Sequence, residues 1–287
     1  MAVADYVKSW HAMSIQGLNI TAQLGDWETQ HCGSQTHAPR RNCGTAHSLK
    51  DDSTGSRRCP CIMGPVQPEC FDIDVRGEQL RLHPQRAVVW PARATLVIAD
   101  PHFGKDDIFR GAGIALPRGP AIADLQRLTG LLAANACTRL IVLGDFLQGV
   151  TQAGDSFLQA FRVWRQAHGS LTVDIVVGNH DRRESAQAWQ QIVGWHTRPL
   201  IEPPFVLARG PAAHPEGYVL CGHLHPVMRL RRRSGAGRVP VFWQRRDYLV
   251  LPSFGSLTGG AEVAVELGDR IFAAGPERVI PLPVGVP

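Results

Sequence analysis

The sequence contains no run of about 18 apolar residues, so it offers no candidate for a membrane-spanning helix. Its opening, MAVADYVKSWHAMSIQGLNITAQ, lacks a basic start followed by a compact apolar stretch. No secretory leader and no membrane association are therefore expected, and the expected compartment is cytoplasmic. A disulfide framework is also missing: there are seven cysteines, an odd number, and five of them lie at or before Cys70. The 29 glycines and 21 prolines follow no collagen-like period. Hydrophobic residues make up 44% and charged residues 19%, which excludes a wholly disordered chain. The formal net charge is +5, and the pI near 9.0 fits an anionic partner without identifying one.

The 287 residues allow one large domain or two small ones. The composition changes near Met63. Residues 1–62 are rich in Ser, Thr, Gly, Asn and Gln and carry no sustained apolar period, so they are expected to be a disordered extension or to precede a true start at Met63. Cys59-Pro60-Cys61 has one intervening residue where zinc knuckles use two to four, a poor spacing for a zinc site. Residues 63–287 are expected to form the folded domain. FDIDV, QLRLH and AVVW read as strands, with a hairpin turn over Val75–Gln79. TLVIAD (95–100), RLIVLGD (139–145) and LTVDIVVGNHD (171–181) are continuous apolar runs of the kind found in buried strands. Ile122, Leu125, Leu128, Leu131 and Leu132 recur at helical spacing behind Pro120. DSFLQAFRVWRQ, with Asp155 as N-cap, and RESAQAWQQIV are expected to form two more helices. From Phe205 onward the pattern is strand after strand: FVLA, YVLCG, VMRLR, VPVFW, YLVLP, AEVAVEL and RIFAA. Strands alternating with helices and followed by a run of strands predict an α/β fold, two packed sheets flanked by helices (αββα).

The chemistry-bearing residues collect at the carboxyl ends of these runs, where ligands bind in open α/β sheets. They are Asp100-Pro101-His102, Gly144-Asp145, Gly178-Asn179-His180-Asp181 and Gly222-His223-Leu224-His225, with His214 shortly before the last. Carboxylates, imidazoles and an amide oxygen are borderline-hard ligands suited to Mn2+, Fe or Zn2+. A lone Gly-Asp is usually a turn, but four such endings in one chain predict a metal site.

In this order the four motifs resemble those of the calcineurin-like metallophosphoesterases, over about residues 71–267. The resemblance implies that Asp100, His102, Asp145 and His225 hold one divalent cation. Asp145 would bridge to a second cation held by Asn179, His214 and His223. Mn2+ is the first expectation, Fe or Zn2+ the alternatives. His180 would be the catalytic histidine and Asp181 would orient it. His214 is chosen as the only histidine between His196 and His223. Gln148 stands where many members carry a further acid, a position that is not normally a ligand.

A narrower resemblance rests on Asp100-Pro101-His102-Phe103-Gly104-Lys105, on Phe109-Arg110 through Gly119, on His223-Leu224-His225-Pro226 and on Pro252 through Gly260. These segments look like the ligase-associated DNA damage response endonuclease (PdeM) family, with Pro101 and Phe103 where that family often has Leu. The resemblance implies an endonuclease of bacterial DNA repair, with DNA as substrate and an ATP-dependent DNA ligase and a helicase as partners. The metal motifs fit a phosphatase or pyrophosphatase for a small phosphoester equally well. A non-catalytic DNA-binding subunit is the third alternative. Lys105 and Arg110 are candidate phosphate contacts. Arg229, Arg231, Arg232, Arg233, Arg238, Arg245 and Arg246 form either a nucleic-acid track or a charged edge that resists aggregation.

Overall fold

The computed structural model describes residues 68–105, 119–148, 156–178, 181, 188–232 and 235–284. The expected leader, Cys59 and Cys61, Arg110, Asp155, Asn179, His180 and Arg233 lie outside the described residues. Among the described residues sixteen strands fall into two sheets.

The first sheet holds β1 (Phe71–Val75), β2 (Glu78–His83), β3 (Ala87–Trp90), β4 (Thr95–Ala99), β5 (Arg139–Gly144), β6 (Thr172–Val177) and β7 (Gly194–His196), side by side in that order. The pairings from β1 to β4 are antiparallel, and those from β4 to β7 are parallel. Arg76 and Gly77, both at positive φ, make the two-residue β1–β2 turn expected over Val75–Gln79. Crossovers between parallel strands need helices. These are α1 (Pro120–Ala134) and α2 (Ser156–Ala167). In α1, Leu125, Leu128, Leu131 and Leu132 face inward as their spacing predicts, whereas Ile122 at the first turn is 41% exposed. In α2, Phe157, Leu158, Phe161 and Trp164 form the buried stripe. Of the third expected helix, Ala188–Val193 are described, and the chain leaves the helix there in a turn closed by Ile192 and Val193 N–H groups on the Trp189 carbonyl.

The second sheet contains β8 (Leu200–Glu202), β9 (Phe205–Ala208), β10 (Tyr218–Cys221), β11 (Pro226–Arg232), β12 (Gly235–Gln244), β13 (Tyr248–Val250) and β14 (Ala261–Glu262). Its order is β14-β11-β12-β13-β10-β9-β8, and β15 (Arg270–Ala274) with β16 (Val279–Leu282) extends from β12. AEVAVEL, expected as a full strand, pairs only at Ala261 and Glu262. Among the described residues no helix is long and apolar enough to cross a membrane.

The period-2 alternation of the central strands sorts the core. Leu96, Ile98, Leu140, Val142, Val173 and Ile175 face α1 and α2. Val97, Ala99, Ile141, Leu143 and Val176 face the other way and meet Phe205, Leu207, Leu220, Phe242, Leu249 and Phe272 of the second sheet. This inter-sheet layer makes the molecule a two-sheet sandwich, the mixed α/β class the sequence predicts. Among the described residues the helices cover the outer face of the first sheet only. Trp90, Trp164, Trp189 and Trp243 are buried, and Trp195 packs against the core beside them, so all five serve packing.

Candidate metal centre

The parallel strands β4, β5 and β6, and β10 in the facing sheet, bring their carboxyl ends to one edge of the sandwich. The chain leaving β13 ties the two sheets there. Leu251 N–H donates to the Cys221 carbonyl, Phe254 N–H to the Ala99 carbonyl (2.7 Å), and Ser253 Oγ–H to the Asp100 carbonyl (2.6 Å). The Ser-Phe-Gly segment after Pro252 therefore braces the first ligand turn.

Asp100 is fully buried at the centre of this edge. Its Oδ1 accepts the Asp145 N–H at 2.9 Å and its Oδ2 the His223 N–H at 2.5 Å. His225 Nε2 lies 3.5 Å from Asp100 Oδ2, and His102 Nε2 lies 3.3 Å from His225 Nε2. The two imidazoles meet edge to face, with centroids 5.1 Å apart. One ligand atom from each of Asp100, His102 and His225 falls within 4.8 Å of the others.

Eight described non-glycine residues have positive φ, and four of them are Asp100, His102, His223 and His225. A left-handed non-glycine residue costs on the order of 1–3 kcal/mol, and such residues cluster where function demands a fixed geometry. Local packing holds them in place. Phe103 and Phe146, each following a candidate ligand, meet edge to face at 5.4 Å; Phe103 stacks on Phe157 and Phe146 packs on Phe161 and Trp189. The α2 face thus anchors both ligand turns.

Three glycines make room for the carboxylates: a Cβ at Gly144 would stand 2.1 Å from Asp100 Oδ1. A Cβ at Gly222 would stand 2.3 Å from Asp100 Oδ2, and one at Gly178 would stand 1.9 Å from Asp145 Oδ1. Burial pushes the His102 imidazole down to about 4, with His225 and Lys105 adding to the shift and Asp100 and Asp145 opposing it. A neutral ring keeps a nitrogen lone pair for a cation at neutral pH. A carboxylate and two converging imidazole nitrogens, in a cradle that a single methyl group would fill, fit a divalent cation of the Mn2+, Fe or Zn2+ type.

The remaining sequence candidates divide. Asp145 is buried and borders the triad, with its carbonyl accepting His102 N–H at 3.1 Å, but the 4.8 Å cluster closes without it. Lys105 belongs to the same neighbourhood: burial pushes its ammonium down, and Asp145 pulls it back up. Asp181 is buried, and its carboxylate accepts N–H groups from Phe146 (3.0 Å), Leu147 (2.8 Å) and Gly178 (2.9 Å), clasping the β5 turn to the β6 turn. Burial raises its carboxyl to about 7, with Asp145 adding and the three N–H groups opposing. His223 reaches the edge with its backbone, while its exposed ring faces Arg209.

His214 does not join them. It precedes β10, whereas His223 and His225 follow it, so the strand separates His214 from the centre by four residues, about 13 Å. There it bridges to Gly217, accepts the Glu216 N–H at its Nδ1, and lines a cavity of about 330 Å³ with Arg76, Glu216 and Asp247. Its selection rested on sequence order, and the structure places it before β10 rather than after it. His214→Ala is expected to leave Mn2+ affinity and turnover within about twofold of wild type, the small effect usual for a surface change; isothermal titration and a rate assay check this.

The arginine run also separates from the centre. β11 starts beside His225 and leads away, so its last residues stand about 20 Å along the strand. Arg229 and Arg238 share Glu262, and Arg245 pairs with Asp269 and Glu266. These three guanidinium groups are thus engaged by carboxylates of the same face.

Acid sensitivity follows from two buried histidines. Burial pushes His83 down to about 4, with Arg127 adding to it, and His102 is likewise near 4 against 6.5 when free. Between these values the unfolded chain binds more protons than the folded one, so stability is present above about pH 6.5 and is lost as pH falls toward 4. Melting temperatures of metal-free protein are expected to fall across that window, and His83→Gln to flatten part of the slope.

No family model and no curated protein matches the chain. Among solved structures, the Pseudomonas putida nuclease MPE is 36% identical, over 75% of this chain and 100% of that one, with a TM-score of 0.65. A protein of unknown function from Aquifex aeolicus is 20% identical over 49% of this chain and 81% of that one; its TM-score of 0.33 carries no argument. At that identity and coverage of the Pseudomonas protein, the chain belongs to the family of nuclease MPE.

Proposed function

We propose that this protein is a metal-dependent phosphodiesterase of the calcineurin-like metallophosphoesterase type. Its substrate would be DNA and its setting bacterial DNA repair, beside an ATP-dependent ligase and a helicase. The observation that carries the reading is the convergence of Asp100, His102 and His225 to within 4.8 Å at the strand ends. A nuclease as the 36% identical relative supports the substrate class.

A divalent cation bound there would lower the pKa of a bound water and offset charge on the phosphoryl oxygens. The chain supplies the rest. Asp100 orients the centre through its two backbone acceptor contacts while facing His225. Lys105, whose charge Asp145 favours, would meet a phosphate oxygen. Asp181 holds the β5 and β6 turns in register, so that the Asp145 carboxylate keeps its place.

The test is Mn2+-dependent hydrolysis by the full chain of single-stranded DNA, duplex DNA, bis(p-nitrophenyl) phosphate and p-nitrophenyl phosphate, with Asp145→Ala as control. Cleavage of DNA and the diester, lost in the control, is expected. Turnover confined to the monoester would replace this reading with a phosphatase, and DNA binding without cleavage would replace it with a binding subunit.

A further inference from the structure

The second cation implied by the sequence motifs finds an occupied place. β9 and β10 run parallel, with Ala208 opposite Cys221, and the Gly222 N–H donates to the Arg209 carbonyl at 3.0 Å. Arg209 is therefore the residue that β9 delivers to the functional edge, level with the turn that carries His223 and His225. Its Nη2 lies 3.0 Å from His223 Nδ1 and 3.3 Å from His223 Nε2. A guanidinium carries only donors and here faces both ring nitrogens, so whichever nitrogen holds the lone pair has the positive charge within 3.3 Å of it. A cation on that nitrogen would need the same lone pair and would stand against a permanent positive charge. His214, the other imidazole named for the second cation, is at the far end of β10.

Arg209 has no carboxylate within 4.0 Å among the described residues, unlike Arg81, Arg127, Arg139, Arg229, Arg238, Arg245 and Arg278; Arg86 and Arg165 are also without one, but Arg209 stands at the functional edge. Its Nε is buried and has no hydrogen-bond partner among them. A partly buried guanidinium with unspent donors, beside a candidate metal centre, is built to receive an anion in a forked geometry.

We propose that Arg209 replaces the second cation: the centre takes one divalent ion at Asp100, His102 and His225, and the Arg209 guanidinium, backed by His223, binds the phosphate as the second positive charge. This rests on the phosphodiesterase reading and narrows it. The two can fail separately. Equilibrium dialysis of the full chain with Mn2+, counted by elemental analysis and followed by electron paramagnetic resonance, is expected to give one ion per chain and an uncoupled six-line spectrum. Two ions with an exchange-coupled spectrum would overturn the proposal and leave the phosphodiesterase reading intact. No bound ion would overturn both.

Arg209→Gln supplies the second arm. It is expected to keep one Mn2+ per chain and to raise KM for the diester roughly ten- to a hundredfold, the scale of a lost hydrogen bond from a charged donor. Arg209→Lys, which keeps the charge without the fork, is expected to fall between the two. Unchanged kinetics in Arg209→Gln would overturn the phosphate-binding role.

Discussion

His225→Ala is expected to lower Mn2+-dependent diester turnover by about a thousandfold, with the melting temperature of the metal-free protein held within a few degrees of wild type. Of the three clustered ligands, His225 is the least involved in the fold. Its side chain is 20% exposed, whereas Asp100 is fully buried and bonds the Asp145 and His223 N–H groups. Removing its imidazole takes away one of three converging donors. Charge stabilisation by a catalytic cation amounts to several kcal/mol, and about 4 kcal/mol corresponds to that loss. Asp100→Ala would lose as much activity, but its buried backbone contacts would also lower stability, so His225 is the cleaner probe. A rate assay paired with thermal unfolding separates the two effects.

Gly222→Ala is the second large effect, from a single methyl group. The added Cβ would stand 2.3 Å from Asp100 Oδ2 and 2.8 Å from Ala99 Cβ, so the clash includes backbone-anchored carbon as well as the carboxylate. Gly222 is also committed at its N–H, which donates to the Arg209 carbonyl. The β10 end must then move away from β4, and His225 moves with it. Overpacking a close interior commonly costs about 1–3 kcal/mol, and an ångström of misplacement in a catalytic centre costs about a hundredfold. Turnover is expected to fall by about that factor with Mn2+ affinity reduced alongside it, measured by titration and initial rates. Full activity would mean that the centre tolerates separation of the two sheet ends.

Much of this was legible in the sequence because burial writes itself into residue type. β4, β5 and β6 lie between α1 and α2 on one side and the second sheet on the other, so both faces need apolar residues and the runs are continuous. Asp100, His102 and His225, which converge in the structure, were legible because a polar residue ending such a run has a single place to go. The short strands β7, β8 and β16 were not found. Three or four residues such as Gly194–His196, on a sheet edge, carry no alternation that distinguishes them from a loop. AEVAVEL misled in the opposite way, since its alternation marks a face packed on neighbours, and only Ala261 and Glu262 find a pairing strand.

The site shows the same limit. His214 was chosen by its order in the chain, which does not say which end of β10 a residue occupies. Arg209 was passed over because Arg before Gly-Pro has no local signature. Its signal was positional: it ends the apolar run FVLA, as Asp100 and Asp145 end theirs. A residue class other than a metal ligand at that position was the sign that one ending differs from the rest.

Anomalous diffraction from Mn2+-loaded crystals locates the cation. A peak bounded by Asp100 Oδ2, His102 Nε2 and His225 Nε2 is expected. Strong density elsewhere, with these three atoms bare, would contradict that site.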